Sequence, residues 1–222
     1  MLVSVFAAIP VKTLLKSKMR LSLVLNPKER QTLTLAMLED VLKAVKRSVV
    51  RETVVISSER TVEELADNFA VSYLEERRHE LNHAVKQATE WCIRNNASSV
   101  LILPADIPLV TSEDINRMVE LCPKRACVVI SPSQNGGTNA LLRKPPNLIP
   151  IHFGPDSFRK HKAEALHKRI PIRVYRSERV AMDIDSPKDL EKLLEIKAQT
   201  ASHRFLERIE ADTRLKLLRV KL

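Results

Sequence analysis

The chain has 222 residues, of which 44% are hydrophobic and 29% are charged, a balance typical of a folded protein and not of a disordered one. Its formal net charge of +10 indicates an anionic partner, such as nucleic acid, a nucleotide or a phosphorylated metabolite. Aromatic residues make up only 4%, which disfavours binding of single strands by base stacking. No apolar run approaches the roughly 20 residues of a membrane span, and no basic leader is present, so we expect a cytoplasmic protein without a membrane partner.

The first half of the chain alternates predicted strands and helices. Residues 3–11 form a continuous apolar run, which predicts a buried strand. Asn26, Pro27 and Glu29 form a helix-start signal, and this helix is expected to reach about Lys46. The other predicted strands are 52–57, 71–74 and 99–103, and the other predicted helices are 61–68, 80–95 and one that begins at a Thr111 cap.

The second half continues with shorter elements. Strands separated by helices favour parallel pairing through right-handed crossovers, with room for one antiparallel member. We therefore predict an α/β protein: a single Rossmann-like three-layer α/β/α domain at residues 1–198, with a mostly parallel sheet and a charged helical C-terminal tail at 199–222. The tail is expected to pack on the domain or on a second subunit, so a homodimer is the predicted assembly. The elements are strands at 126–131, 139–142, 172–175 and 180–184, a helix at 157–168 and another that opens at Ser186.

A carboxylate stands directly after one of these strands. Asp106 follows strand 99–103, and ligands of open α/β sheets collect at the carboxyl ends of the strands. Alternation along the last predicted strand puts Asp183 and Asp185 on one face. The three carboxylates together suit Mg²⁺, which prefers oxygen ligands. The alternative for Asp183 and Asp185 is an ordinary loop before the Ser186 helix.

A basic segment follows the first predicted strand. It places four cations within nine residues, with no acid among them, at Lys12, Lys16, Lys18 and Arg20. Like charges at this density repel each other unless an anion neutralises them, and a triphosphate is a natural occupant. The alternative is a solvated basic loop.

All three glycines fall at candidate ligand-binding positions. Gly136 and Gly137 precede Thr138 and Asn139, where they allow either close approach of the backbone to a ligand or a hairpin turn. Gly154 lies just before the helix that starts near Ser157. The free N–H groups of a helix start favour a phosphate or a carboxylate, and the alternative is an ordinary cap. The three cysteines show no metal-binding spacing and are expected to be reduced thiols.

Read together, these motifs resemble the 2-phospho-L-lactate guanylyltransferase family. That family is related to the molybdenum-cofactor guanylyltransferases and has a Rossmann-like nucleotidyltransferase fold. The resemblance covers about residues 1–195, with all motifs in the family's order. The stretches that carry it are 8–12 with 16–21, 103–109, 137–142, 153–158 and 182–190.

The resemblance implies a reaction and a set of site residues. The phosphate of 2-phospho-L-lactate, or of phosphoenolpyruvate in close relatives, would attack the α-phosphate of GTP. Pyrophosphate leaves, and the product, lactyl-2-diphospho-5′-guanosine, serves coenzyme F-420 biosynthesis. The family often has Gly-Leu-Asn where this chain has Glu80-Leu81-Asn82. The implied roles are catalysis for Asp106 and Lys12, acid binding for Thr138, Gly154 and Ser157, nucleotide binding for Lys12, Lys16, Arg20 and Asn82, and Mg²⁺ binding for Asp106, Asp183 and Asp185.

Two alternative functions follow from the same sequence. One is a nucleotidyltransferase that acts on another phosphorylated acid or sugar. The other is a basic RNA-binding module, which the net charge of +10 and the basic tail favour and the low aromatic content disfavours. We expect GTP and a phosphorylated acid as partners, and no nucleic acid.

Overall fold

Seven strands form one sheet in the part of the chain that the computed structural model describes, residues 4–122 and 126–221. The side chains of residues 16, 220 and 221 lie outside that part. In chain order the strands are β1 (Val5–Pro10), β2 (Glu52–Ser57), β3 (Ser72–Glu75), β4 (Ser99–Ile102), β5 (Cys127–Pro132), β6 (Thr138–Lys144) and β7 (Ile172–Val174).

The sheet is mostly parallel, as predicted. Its spatial order is β3-β2-β1-β4-β6-β5-β7, and β1 pairs in parallel with both β2 and β4. The antiparallel member is β6, which lies between β4 and β5 and pairs antiparallel with both. The carboxyl ends of β1 and β4 therefore lie side by side, and the amino end of β6 reaches the same edge.

Helices connect the strands and extend the chain beyond the sheet. Two short 3₁₀ helices, Leu14–Lys16 and Met19–Leu23, follow β1. The α-helices are α1 (Pro27–Lys46), α2 (Arg60–Asn68), α3 (Leu81–Arg94), α4 (Ser112–Glu120), α5 (Ser157–His167), α6 (Glu178–Ala181), α7 (Pro187–Ile196), α8 (Ala201–Arg208) and α9 (Ala211–Lys221).

The helices cover both faces of the sheet, which confirms the three-layer α/β/α prediction. Val5 and Ile9 of β1 belong to the hydrophobic cluster that includes residues of α1, α2 and α4. Phe6 and Ala8 belong to a second cluster, formed with α3 and α5. A strand buried on both sides has no polar face, which is why β1 is an uninterrupted apolar run.

The C-terminal tail packs on the domain, where a residue of α1 caps the first helix of the tail. Phe205 and Leu206 of α8 are buried in a third hydrophobic cluster, to which α1 also contributes. Asp40 of α1 accepts hydrogen bonds from the backbone N–H groups of Ala201 and Ser202, at 2.6 and 2.9 Å. These are free N–H groups of the first turn of α8, so Asp40 caps a helix from another part of the chain. The boundary at residue 198 stays a prediction.

The prediction of a strand at residues 180–184 is wrong. Residues 180–184 do not form a strand, because the chain makes the short helix α6 and then a loop. Ser177 starts α6, and its hydroxyl accepts a hydrogen bond from the backbone N–H of Val180. The larger apolar residues of this stretch, Val180, Met182 and Ile184, are buried, and burial alone does not distinguish a strand from a helix or a loop.

Two further expectations can be compared with the structure. The described cysteines form no disulfide, and Cys92 and Cys127 are buried. Among the described helices, none combines the length and the apolar character that crossing a membrane requires.

Candidate active site

A cavity of about 460 Å³ opens at the carboxyl ends of β1 and β4. It brings together segments that lie far apart in the sequence: the basic segment, the Asp106 loop, the start of β6, the start of α5 and the loop before α7. A backbone hydrogen bond of 3.0 Å from Ile184 N–H to Asp106 O joins two of these walls. The predicted site residues that line the cavity are Lys12, Arg20, Asp106, Thr138, Gly154, Ser157, Asp183 and Asp185.

Lys18 joins two of the carboxylates. Its Nζ lies 2.6 Å from Asp106 Oδ2 and 2.6 Å from Asp185 Oδ1. The Lys18 side chain is only 7% exposed, whereas those of Asp106 and Asp185 are 29% and 45% exposed. The backbone at Lys18 has a φ of 52°, a left-handed conformation that turns the chain between the two 3₁₀ helices.

The charges of this cluster stabilise each other. Burial opposes the charge of Lys18, but the two carboxylates outweigh it and raise the pKa of Lys18. Burial acts on Asp185 in the opposite direction, yet Lys18, Lys12 and Arg20 bring the pKa of Asp185 below its usual value. Lys18 is therefore an ammonium and Asp185 a carboxylate at neutral pH.

Asp183 lines the cavity together with Asp106 and Asp185, and we call these three residues the acidic wall. Its Oδ1 accepts a hydrogen bond of 3.0 Å from Asn139 Nδ2, which also donates to the backbone oxygen of Val180. Burial raises the pKa of Asp183, and repulsion by Asp106 and Asp185 adds to this effect. The three carboxylates are thus close enough to interact electrostatically.

The acidic wall is suited to a cation. Asp106 and Asp185 already share one cation, the Lys18 ammonium. Within the described residues, no three acidic, histidine or cysteine side chains converge on one point as metal ligands do. The donor set nevertheless consists of carboxylate oxygens, the ligands of a hard divalent ion, and the position between Asp106 and Asp185 is one that a positive charge occupies.

The same cavity also presents donors that suit an anion. Ser157 is the first residue of α5, and its buried hydroxyl has no hydrogen-bond partner among the described residues. Thr138 lies beside it at the start of β6, with Oγ1 3.2 Å from His161 Nδ1. Gly154 has a φ of +122°, which L side chains rarely adopt. A buried hydroxyl without a partner is unfavourable, and an anion bound at the helix start would satisfy it.

The paired glycines, Gly136 and Gly137, lie in the hairpin turn that joins β5 to β6. Gly136 has a positive φ of 77°, as the turn reading predicts. At Gly137 an added Cβ would lie 2.8 Å from Ser133 Oγ, so the serine hydroxyl would have to move. The Gly137 N–H donates to the same oxygen at 2.8 Å. The turn places Thr138 and Asn139 at the cavity, so the turn and the ligand-approach interpretations agree.

The four predicted nucleotide-binding residues differ in placement. Lys12 and Arg20 line the cavity and are exposed. The side chain of Lys16 lies outside the described part of the structure. Asn82 instead bonds the backbone of Phe153 in both directions, with its Oδ1 accepting at 2.7 Å and its Nδ2 donating at 3.1 Å.

Several residues of the site have roles that sequence reasoning did not assign. Lys18 belongs to the basic segment, but its pairing with two carboxylates was not predicted. Asn139 holds Asp183, and its position directly after Thr138 was the available signal. His161 contacts Thr138, and its spacing of four residues from Ser157 puts both on one face of α5.

The open α/β sheet, with this cavity at the carboxyl ends of its strands, has the fold of solved nucleotidyltransferase structures. A solved structure from Desulfovibrio desulfuricans G20, assigned to the nucleotide-diphospho-sugar transferases, superposes with a TM-score of 0.79 at 16% identity, covering 96% of this chain and 97% of that chain. At this identity the likeness shows the fold alone. The fold class predicted from the sequence is therefore confirmed.

The sequence comparisons show the family. The family model described as "Guanylyl transferase CofC like" matches residues 5–218, and the chain belongs to that family. A phosphoenolpyruvate guanylyltransferase of Rubrobacter xylanophilus is 39% identical over 191 residues, which are 86% of this chain and 93% of the relative. A 2-phospho-L-lactate guanylyltransferase of Methanothermobacter thermautotrophicus is 35% identical over 204 residues, which are 91% of this chain and 90% of the relative.

Proposed function

We propose that this protein transfers GMP from GTP to a small phosphorylated carboxylic acid, either phosphoenolpyruvate or 2-phospho-L-lactate. The names of the similar guanylyltransferases support both acids. The observation that carries the proposal is that one cavity is lined both by groups suited to a cation and by groups suited to an anion. The first include Asp106 and Asp185, which hold Lys18 between them, and the second include the unpartnered hydroxyl of Ser157 at a helix start. With 2-phospho-L-lactate the product would be lactyl-2-diphospho-5′-guanosine, an intermediate for coenzyme F-420.

The donor wall suits the acid substrate. Thr138 and Ser157 supply hydroxyl groups, and the backbone around Gly154 leads into the start of α5. A helix start attracts a phosphate or a carboxylate through its free N–H groups and the positive end of its dipole. These groups would hold the acid substrate so that its phosphate faces the acidic wall.

The basic segment suits the triphosphate. Lys12 and Arg20 line the same cavity and interact electrostatically with Asp185. Lys16 lies in the same segment, and we keep it as a third candidate contact. Two anions must meet for the reaction, so these cations lower the repulsion between the acid and the triphosphate. We assign Lys12 a catalytic role in stabilising charge on the reacting phosphates.

Mg²⁺ is the proposed cofactor, with Asp106, Asp183 and Asp185 as the residues that would hold it. When bound, such an ion neutralises phosphate charge and stabilises the leaving group. Hydrogen bonds within the protein prepare the position of the carboxylates. Asn139 orients Asp183, and the backbone hydrogen bond from Ile184 N–H fixes the Asp106 loop.

The chemical step needs no nucleophilic side chain. An oxygen of the acid's phosphate forms a bond to the α-phosphorus of GTP, and the bond from that phosphorus to the bridging oxygen of the β-phosphate breaks. The electron pair leaves with pyrophosphate. The attacking phosphate is largely ionised near pH 7, so a general base is not required.

Pyrophosphate release tests the proposal. The protein is incubated with Mg²⁺, each acid and each of GTP, ATP, CTP and UTP. We expect release that requires both an acid and GTP. A folded protein that releases no pyrophosphate with either acid would refute the proposed function, and release with a phosphorylated sugar alone would favour the alternative substrate class. The homodimer, the cytoplasmic location and the lack of a nucleic-acid partner stay predictions.

A further inference from the structure

We infer that His161 is a positioning residue that fixes the hydroxyl of Thr138 as a hydrogen-bond donor to the acid substrate. The same ring holds the backbone that leads to Gly154. The inference rests on the proposed function, because it assigns the acid to the cavity wall formed by Thr138, Gly154 and Ser157.

The hydrogen bonds of the ring define its tautomer. The backbone N–H of His152 lies 2.9 Å from His161 Nε2, and a backbone N–H can only donate. Nε2 is therefore the acceptor, and a neutral ring carries its proton on Nδ1. Nδ1 lies 3.2 Å from Thr138 Oγ1, so the ring donates and the hydroxyl oxygen accepts.

This bond leaves the proton of Thr138 available. His161 is the one hydrogen-bond partner of Thr138 Oγ1 within the described residues. Because the hydroxyl accepts from the ring, its own proton points elsewhere, and Thr138 lines the cavity. If the ring carried its proton on Nε2, its Nδ1 would instead accept a hydrogen bond from the Thr138 hydroxyl. The Thr138 oxygen would then present only lone pairs to an anionic substrate.

The surroundings keep the ring neutral. His161 is fully buried. Burial lowers the pKa of His161 to about 4, and electrostatic interaction with His152 and Arg143 acts in the same direction. The tautomer is thus maintained across the neutral pH range.

The His161 ring also contacts the segment that leads to Gly154. Besides the bond to His152 N–H, it meets the ring of Phe153 edge-on, with 5.2 Å between centroids. Asn82 in turn forms hydrogen bonds with the backbone N–H and oxygen of Phe153. His161 therefore links Thr138 to the segment that enters Gly154, and it lies one helical turn after Ser157.

The tautomer can be measured without any turnover. Two-bond ¹H–¹⁵N NMR of the protein with labelled histidine distinguishes Nδ1–H from Nε2–H. We expect the Nδ1–H form for His161 from pH 5 to 8, and its resonances are assigned by their loss in His161→Leu. An Nε2–H or a protonated ring in that range would overturn the inference even if the enzyme is active.

Kinetics test the link to the substrate. His161→Leu removes both hydrogen bonds of the ring, whereas Thr138→Val removes the hydroxyl alone. We expect each to raise KM for the acid about tenfold, with KM for GTP changed less than twofold. His161→Asn keeps a donor near Nδ1 and should recover more of the acid KM than His161→Gln, which keeps a group only near Nε2.

Controls separate this role from simple packing. His167→Gln changes an exposed histidine on the same helix and should leave both KM values unchanged. If His161→Leu raises both KM values equally, or leaves the acid KM unchanged in a folded protein, the inference fails. A wild-type protein that is inactive with every acid refutes the proposed function instead.

Discussion

The ammonium of Lys18 lies 2.6 Å from a carboxylate oxygen of Asp106, and 88 positions of sequence separate the two residues. The same ammonium contacts Asp185, so one buried cation holds two walls of the cavity together. The protein therefore places a positive charge where the proposed function requires one. This relationship leads to the first two predictions.

Replacing Lys18 by Met should destabilise the protein and make it respond to Mg²⁺. Two carboxylates lose their shared partner, at a cost that their partial exposure reduces to about 2 kcal/mol. We expect a melting temperature about 5 °C lower in metal-free buffer. Added Mg²⁺ should recover most of this loss, because it supplies the missing positive charge.

The control for this prediction is Lys86→Met, which changes an exposed lysine of α3. Its melting temperature should stay within about 1 °C of the wild type. If Mg²⁺ does not raise the melting temperature of Lys18→Met, the ion does not bind at these carboxylates.

Replacing Asp106 by Asn should remove most of the activity and keep the fold. The substitution removes one negative charge from the acidic wall and keeps the shape of the side chain. We expect pyrophosphate release to fall by about 100-fold or more, with a melting temperature within a few degrees of the wild type. Asp67→Asn, on the exposed face of α2, is the matched control. Full activity of Asp106→Asn would contradict the proposed role.

Asp114 should make stability depend on acid pH. Burial alone would raise its pKa, but hydrogen bonds from Arg179, Thr111, Tyr175 and Ser177 outweigh it and bring the pKa of Asp114 down to about 2. A carboxyl with a lowered pKa stabilises the fold above its unfolded value of 3.8, and the stabilisation disappears as the pH falls from there through about 2. The effect is about 2 kcal/mol.

The comparison of wild type with Asp114→Asn measures this effect. The difference in unfolding free energy between the two proteins should be large at pH 5 and shrink toward pH 2. Denaturant titrations at several pH values give that difference. A difference that is constant over this range would mean that Asp114 is not ionised in the folded protein.

Replacing Asp40 by Ala should release the C-terminal tail. Asp40 accepts from the first N–H groups of α8 and, at 2.7 Å, from the Ser202 hydroxyl. Loss of these bonds should cost about 2 kcal/mol. Limited trypsin digestion followed by mass spectrometry should show earlier cleavage within residues 199–222 than in Asp67→Ala. Identical cleavage patterns would show that the hydrophobic contacts alone hold the tail.

The elements with local signals could be predicted from the sequence. Asn26 and Glu29 form the predicted capping box at the start of α1, and Thr111 and Asp114 form another at the start of α4. β1 and β4 were predicted because strands buried on both faces are continuous apolar runs. These signals need no knowledge of distant residues.

Features set by distant contacts could not be predicted in the same way. The position of β6 between β4 and β5 depends on strand pairing across the whole sheet. Asp183 and Asp185 do reach the cavity, but through a loop after α6 and not through the strand alternation that suggested them.

The basic segment, which contains Lys12 and Lys18, was also predictable only in part. Its cations predicted an anion site, but the sequence does not distinguish Lys18, which is buried, from Lys12, which is exposed. The difference arises from the left-handed turn at Lys18, a conformation that non-glycine residues rarely adopt and that no local motif marks here.

Mass spectrometry of the reaction product tests the central claim most directly. The wild-type protein is incubated with GTP, Mg²⁺ and either phosphoenolpyruvate or 2-phospho-L-lactate. The proposed function predicts pyrophosphate and an equal amount of a product whose mass is that of GMP joined to the acid with loss of water. If folded protein leaves GTP intact with both acids, or forms GMP without this product, the proposed transfer is contradicted.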